Sequence, residues 1–159
     1  ASRPLISENG TSSLLHEVMH TALGLRPLPD HDWIVEGLAE YYSIELLRRG
    51  KAITARRATT AFERQAAWAE RADTLCAAHS TGASTALAVT LLRDLNEEIV
   101  SKTDGEFSLD TLLPILANNT VDLATLTAAV EDLIGSSPDA LHSDNLPGCR
   151  TIEIDNRES

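Results

Sequence analysis

Apolar residues recur at helical spacing along most of the chain. Leu14, Leu15, Val18, Met19, Ala22 and Leu23 fall three and four apart behind the hydroxyl caps offered by Thr11, Ser12 and Ser13, and Gly24 is the stop. Arg26-Pro27-Leu28-Pro29 cannot be helical and reads as a connector. A second helix, capped by Asp30 or Asp32, runs to about Arg49 and ends at Gly50. Its apolar positions Trp33, Ile34, Leu38, Tyr41, Tyr42, Ile44 and Leu47 wrap much of the circumference, which predicts burial on more than one side. An Ala/Arg/Glu-rich segment from roughly Thr54 to Ala78 predicts a partly exposed third helix. Gly82 then punctuates before a strongly helical stretch from Ala86 to Val100. Thr103-Asp104-Gly105 is a turn signal, Ser108-Leu109-Asp110 opens a short helix through about Leu116, and Thr120 or Asp122 caps another through Ile134, stopped by Gly135. The tail from Ser136 reads as loop, with one short strand at Thr151-Ile152-Glu153-Ile154. No repeat or low-complexity linker interrupts this order, so residues 1–159 read as one mainly α domain with little or no β-sheet.

At 159 residues and 43% hydrophobic content the chain can bury a core of its own. No apolar run is long enough to span a bilayer, and the N-terminus lacks the charged-then-apolar pattern of a signal segment. A net charge of -11 argues against nucleic acid and anionic membranes as partners, because affinity for both rests on Lys and Arg neutralising phosphates. Cys76 and Cys149 are too few for a disulfide framework and lack metal-knuckle spacing. A single bridge between them stays open, and with it the compartment.

The chemistry sits in His16-Glu17-Val18-Met19-His20. Histidines at i and i+4 share one helix face, so both imidazoles can reach a single cation. Glu17 points about 100° around the helix, beside the cation, where a carboxylate can take a proton from metal-activated water. The flanking Leu14, Leu15, Val18 and Met19 would bury this helix, and three polar groups forced near a core are satisfied by coordination. A zinc ion needs a third protein ligand and one open position. Glu36, sixteen residues after His20 and in the first turns of the second helix, is the expected ligand. Glu40 lies one turn further on the same face and suits an outer role. His31, in the connector, is expected to be solvated or capping. The metzincin spacing is absent, since Leu23 and Arg26 hold the places of its glycine and histidine.

Trp33-x-x-Glu36-Gly37-x-x-x-Tyr41-Tyr42 after an H-E-x-x-H helix resembles the gluzincin peptidases of the aminopeptidase N family, and more nearly the glycyl aminopeptidases. The likeness continues through Leu46-Leu47-Arg48-Arg49, the helix ending Leu91-Leu92-Arg93-Asp94-Leu95, and the segment finishing at Leu146-Pro147-Gly148. The resemblance implies the helical half of a thermolysin-like catalytic domain. It implies Zn²⁺ held by His16, His20 and Glu36, with Glu17 as general base. In those families a tyrosine three residues before a glycine stabilises the tetrahedral intermediate; aligned on Gly82, this chain has His79 in that place. An imidazole N–H can donate to an oxyanion, so His79 is the candidate donor. The families also place a β-sheet before the zinc helix and a glycine-rich segment that holds the substrate amine. Ser7-Glu8-Asn9 lacks the preceding glycines, and that role is not carried over.

These residues point to a zinc-dependent peptidase-like hydrolase acting on a peptide or protein, with an aminopeptidase as its narrower form. The alternative is a non-catalytic zinc-binding or partner-binding module that retains the peptidase fold. Asp32 and Glu40 are both placed to orient a histidine's free ring N–H. The start at Ala1-Ser2-Arg3-Pro4 leaves two further readings open, a free-standing domain or a piece of a longer enzyme whose sheet lies upstream.

Overall fold

The computed structural model describes Ile6 and residues 12–149, which form successive helices joined by short connectors. Helix α1 spans Ser13–Leu23; the Ser12 hydroxyl caps it by accepting the Leu15 N–H at 3.3 Å, and Gly24 closes it in the left-handed conformation. The proline-rich connector contains strand β1, Arg26–Pro27. Helix α2 spans Asp32–Arg49, α3 Ala55–Ala69, α4 Gly82–Lys102 and α5 Leu109–Leu116. Strand β2, Thr120–Val121, pairs in parallel with β1 and precedes α6, Leu123–Ile134. Two short 3-10 turns, Asp139–Leu141 and Ser143–Asn145, follow. The architecture is mainly α, with a sheet of two two-residue strands among the described residues. No helix among them is long and apolar enough to cross a membrane.

Helix α2 is the spine. It packs against α1, α3 and α4, and its Trp33, Ile34, Leu38, Tyr42 and Ile44 are buried together with Val89, Leu92, Leu95 and Ile99 of α4. Residues on every side of α2 are therefore apolar, as the wrapped pattern predicts. The α2–α4 crossing is close because position 37 has no side chain: a Cβ there would lie 2.7 Å from Ala88 Cβ and 3.1 Å from Leu92 Cδ1. Gly37 thus sets the helix spacing beside Glu36.

Several expectations are corrected. Helix α3 stops at Ala69 rather than near Ala78. Beyond it the chain is drawn out of helix by the C-terminal segment. The Leu75 N–H donates to Pro147 O at 2.7 Å, Cys76 is disulfide-bonded to Cys149, and Gly148 lies against Thr74 with no room for a side chain. Gly82 is not a break before α4 but its first residue, capped by Thr81. What requires a glycine there is the Trp68 indole, which lies where a Cβ would stand. At the start of α2 the N-cap is His31 rather than an aspartate. Asp122, of the two alternatives, caps α6 by accepting the Thr125 N–H at 2.8 Å. The strand expected at Thr151-Ile152-Glu153-Ile154 and the segment Ser7-Glu8-Asn9 lie outside the described residues.

Candidate metal centre

Helix α1 lies across the N-terminal half of α2 and presents His16 and His20, one turn apart, to Glu36. His16 Nε2 is 3.0 Å from Glu36 Oε2, His20 Nε2 is 3.0 Å from Glu36 Oε1, and the two Nε2 atoms are 3.0 Å from each other. Glu40, one turn beyond Glu36, reaches the other side of the His16 ring: its Oε2 lies 2.8 Å from Nδ1. A carboxylate accepts only, so Nδ1 carries the proton. In the neutral ring Nε2 then offers its lone pair to the point shared with His20 and Glu36. The His16 and Glu40 side chains are about 16% and 18% exposed, which keeps this contact largely shielded from water. The Glu40 hydrogen bond holds the His16 pKa above the ordinary histidine value, outweighing partial burial, with Glu36 adding to the same direction.

The donor chemistry fits a transition-metal ion. Two imidazole nitrogens facing the two oxygens of one carboxylate, with one donor atom from each residue lying within 4.8 Å of the others, are mutually repulsive unless a cation or proton lies among them. Zinc bonds of about 2.0–2.1 Å in a tetrahedral shell put neighbouring donors about 3.3 Å apart, close to the separations seen here. The Glu40–His16 contact is the carboxylate–histidine arrangement that fixes the tautomer and ring orientation of a metal ligand. His16, His20 and Glu36 are the one group of His, Cys, Asp or Glu among the described residues assembled to hold an ion.

The other candidates fall around this cluster in different ways. Glu17 is exposed on α1, and its carboxylate has neither hydrogen bond nor ion pair among the described residues. Its side chain is thus unencumbered, one residue from His16. His31 is kept from the cluster by its own bond, Nδ1 accepting the Leu123 N–H at 3.1 Å at the start of α6. It is a capping residue, one of the two expected roles. Asp32 is not the histidine's outer partner. Its Oδ2 accepts the Ser80 N–H at 3.1 Å, tying the segment between α3 and α4 to the first turn of α2. His79, adjacent to Ser80, is exposed on that tethered segment. Trp33 Nε1 and Ser80 Oγ, each next in sequence to a partner in this tether or within it, are buried without a hydrogen-bond partner among the described residues.

Comparison with protein-family models, with curated proteins and with solved structures finds no match to this chain.

Proposed function

We propose that the chain is a zinc-dependent hydrolase of the gluzincin type acting on peptide bonds, with an aminopeptidase as its narrower form. The observation that supports the reading is the convergence of His16, His20 and Glu36 within 3.0 Å contacts, with the Glu17 carboxylate, unpaired among the described residues, one residue away. In this reading His16 Nε2, His20 Nε2 and a Glu36 oxygen hold the ion. Bound there, zinc supplies Lewis acidity that activates water and polarises a carbonyl. Glu40 keeps His16 in the tautomer that presents Nε2 inward. Glu17 accepts the proton of the attacking water and returns it to the leaving amine. His79 donates to the developing oxyanion, and the Asp32–Ser80 hydrogen bond holds its segment beside α2.

A non-catalytic zinc-binding module is the second reading, favoured by the sheet: among the described residues there are only two two-residue strands, a poor template for an extended peptide. Glu17→Gln separates the two. In the hydrolase the variant retains zinc at about one ion per chain and loses peptide hydrolysis, because the amide keeps the shape but cannot take the proton. Full zinc with no hydrolysis of aminoacyl or peptide substrates by the unaltered protein would leave the module. Full zinc occupancy after His20→Ala would refute both.

A further inference from the structure

Turning at about 100° per residue, Tyr41 and Glu45 leave α2 roughly opposite Glu36. There a cavity of about 340 Å³ opens between α2, α3, α4 and the residue before α5. Three guanidiniums line it, those of Arg48, Arg49 and Arg93, against two carboxylates, Glu45 and Glu97. The lining is net positive in a chain whose overall charge is -11.

Two of the guanidiniums are already engaged. Glu45 accepts from Arg48 Nε at 3.0 Å and Nη2 at 2.9 Å, and from Arg49 Nε at 3.1 Å. Arg49 spends its remaining nitrogens on Asp110, at 2.8 and 3.1 Å. Arg93 is different. Its guanidinium lies over the Phe62 ring at 5.0 Å from the centroid, forms one ion pair among the described residues, with Glu97 at 4.0 Å from Nε, and has Asp94 as a further charged neighbour. Its Nη1 and Nη2 have no acceptor among the described residues. A cation–π contact engages the guanidinium without using its N–H groups.

Two neutral donors accompany it. Tyr41 is 4% exposed, lines the cavity, and has no hydrogen-bond partner for its hydroxyl among the described residues. The residue is buried as a whole, while its hydroxyl is not among the buried orphan atoms and can take an added partner. Burial pushes its pKa well above the ordinary tyrosine value, so it remains an O–H donor. Asn96 uses its Oδ1 to accept the Leu109 N–H at 2.9 Å, which leaves its amide nitrogen as the free end. Glu97, 69% exposed, is an acceptor without a hydrogen bond among the described residues; the other unmet groups are donors: a guanidinium, a phenol and an amide.

We propose that this cavity is an anion site taking a small oxyanion, a phosphate group or a carboxylate, with Arg93 as the charged donor and Tyr41 and Asn96 as orienting donors. It is separate from the metal centre and does not depend on the hydrolase reading. Arg48 and Arg49 hold Glu45 out of the ligand's way and add to the positive field. A planar fork held over an aromatic ring is the geometry that recognises carboxylate and phosphate oxygens.

The test is titration calorimetry with sodium phosphate and, separately, sodium acetate, each against sodium chloride at matched ionic strength. At least one oxyanion binds saturably in the millimolar range, and the two arms report which geometry the site prefers. Arg93→Gln weakens that binding by more than about tenfold, and Tyr41→Phe by up to about tenfold, as expected for losing a charged and a neutral hydrogen bond. His20→Ala leaves it unchanged. Absence of saturable binding by both anions would overturn the proposal, as would wild-type affinity in Arg93→Gln. Should Arg93→Gln fail to fold, unchanged affinity in Tyr41→Phe overturns it alone.

Discussion

Removing the Glu40 carboxylate isolates what the outer contact contributes to metal binding. Glu40 Oε2 lies 2.8 Å from His16 Nδ1, on the side of the ring away from Glu36 and His20. It therefore acts on the ion only through His16. Two contributions are separable. The carboxylate's charge raises the basicity of the imidazole, and its position fixes both ring plane and tautomer. Glu40→Gln can retain an acceptor for Nδ1–H but loses the charge, so zinc affinity should fall by about tenfold or less. Glu40→Ala removes both and leaves a largely shielded N–H without its partner. Its loss should approach the upper end of the 10–100-fold range for such partners, about 1.4–2.7 kcal/mol. Glu36→Ala, which deletes a ligand, should cost more than either.

The assay is competition for zinc against a chromophoric chelator, using metal-stripped protein whose helicity has been checked by circular dichroism. Asp32→Asn is the informative control. Asp32 lies on the same helix but binds the Ser80 N–H, so its loss should leave zinc affinity within about threefold, well below the range for an outer-shell partner. Wild-type affinity in Glu40→Ala would show that the carboxylate does not act on the ion. A larger loss in Glu40→Ala than in Glu36→Ala would move the third ligand one turn along α2. Either result refutes Glu36 as ligand with Glu40 as its outer neighbour.

Reduction of the Cys76–Cys149 bridge, which joins residues 73 apart, should lower stability by about 2–4 kcal/mol, against a chain-entropy limit of about 4.4 kcal/mol; equal melting of oxidised and reduced protein would refute it. Gly37→Ala gains about 1 kcal/mol of helix propensity but forces a methyl to 2.7 Å from Ala88 Cβ, so denaturant melts should show a net loss of about 1–2 kcal/mol; unchanged or raised stability would contradict the close crossing. Asp110 has its pKa lowered, first by the Arg49 hydrogen bond, against burial and with help from Tyr42. Its contribution is therefore complete above the unfolded value near 3.9 and lost as pH falls through the lower folded one. Because the side chain is 43% exposed, the loss below about pH 4 should be under about 1 kcal/mol and absent in Asp110→Asn. Zinc should slow amide exchange in α1 more than in α2; uniform slowing would show that the two helices open together.

The sequence carried the helices and the clustering of His16, His20 and Glu36 but not the contacts that choose between neighbours. Ser12, Gly24, Asp122 and Gly135 bound their helices through local chemistry, so reading them needs only the adjacent residues. Glu36 and Glu40 share a face of α2, and nothing local says which meets an imidazole Nε2 and which an Nδ1. The height at which α1 crosses α2 decides it. The apolar and alanine-rich pattern beyond Ala69 is equally compatible with helix. It is overridden by a disulfide and a backbone bond to residues more than seventy positions away. Gly82 signalled a special position but not its cause, because Trp68 approaches it from another helix. The anion cavity was not legible at all. Arg48, Tyr41, Phe62 and Arg93 come from three helices, and no spacing rule connects them.

The His16–His20–Glu36 cluster joins two helices of unequal standing. Helix α2 is enclosed on nearly all sides, and each of its acids has a defined partner: Asp32 the Ser80 N–H, Glu36 the two imidazoles, Glu40 His16, and Glu45 the guanidiniums of Arg48 and Arg49. Helix α1 buries only Met19 and Leu23 among its own residues, while Leu14 and Val18 remain exposed. Its polar attachment to α2 runs through His16 and His20. An ion bound between them adds its binding free energy to the docking of α1, because the ligand set exists only while α1 is in place. Local opening of α1 would separate both histidines from Glu36 without disturbing the α2–α4 core. Metal occupancy and α1 docking are therefore linked equilibria, with α2 as the fixed partner in both.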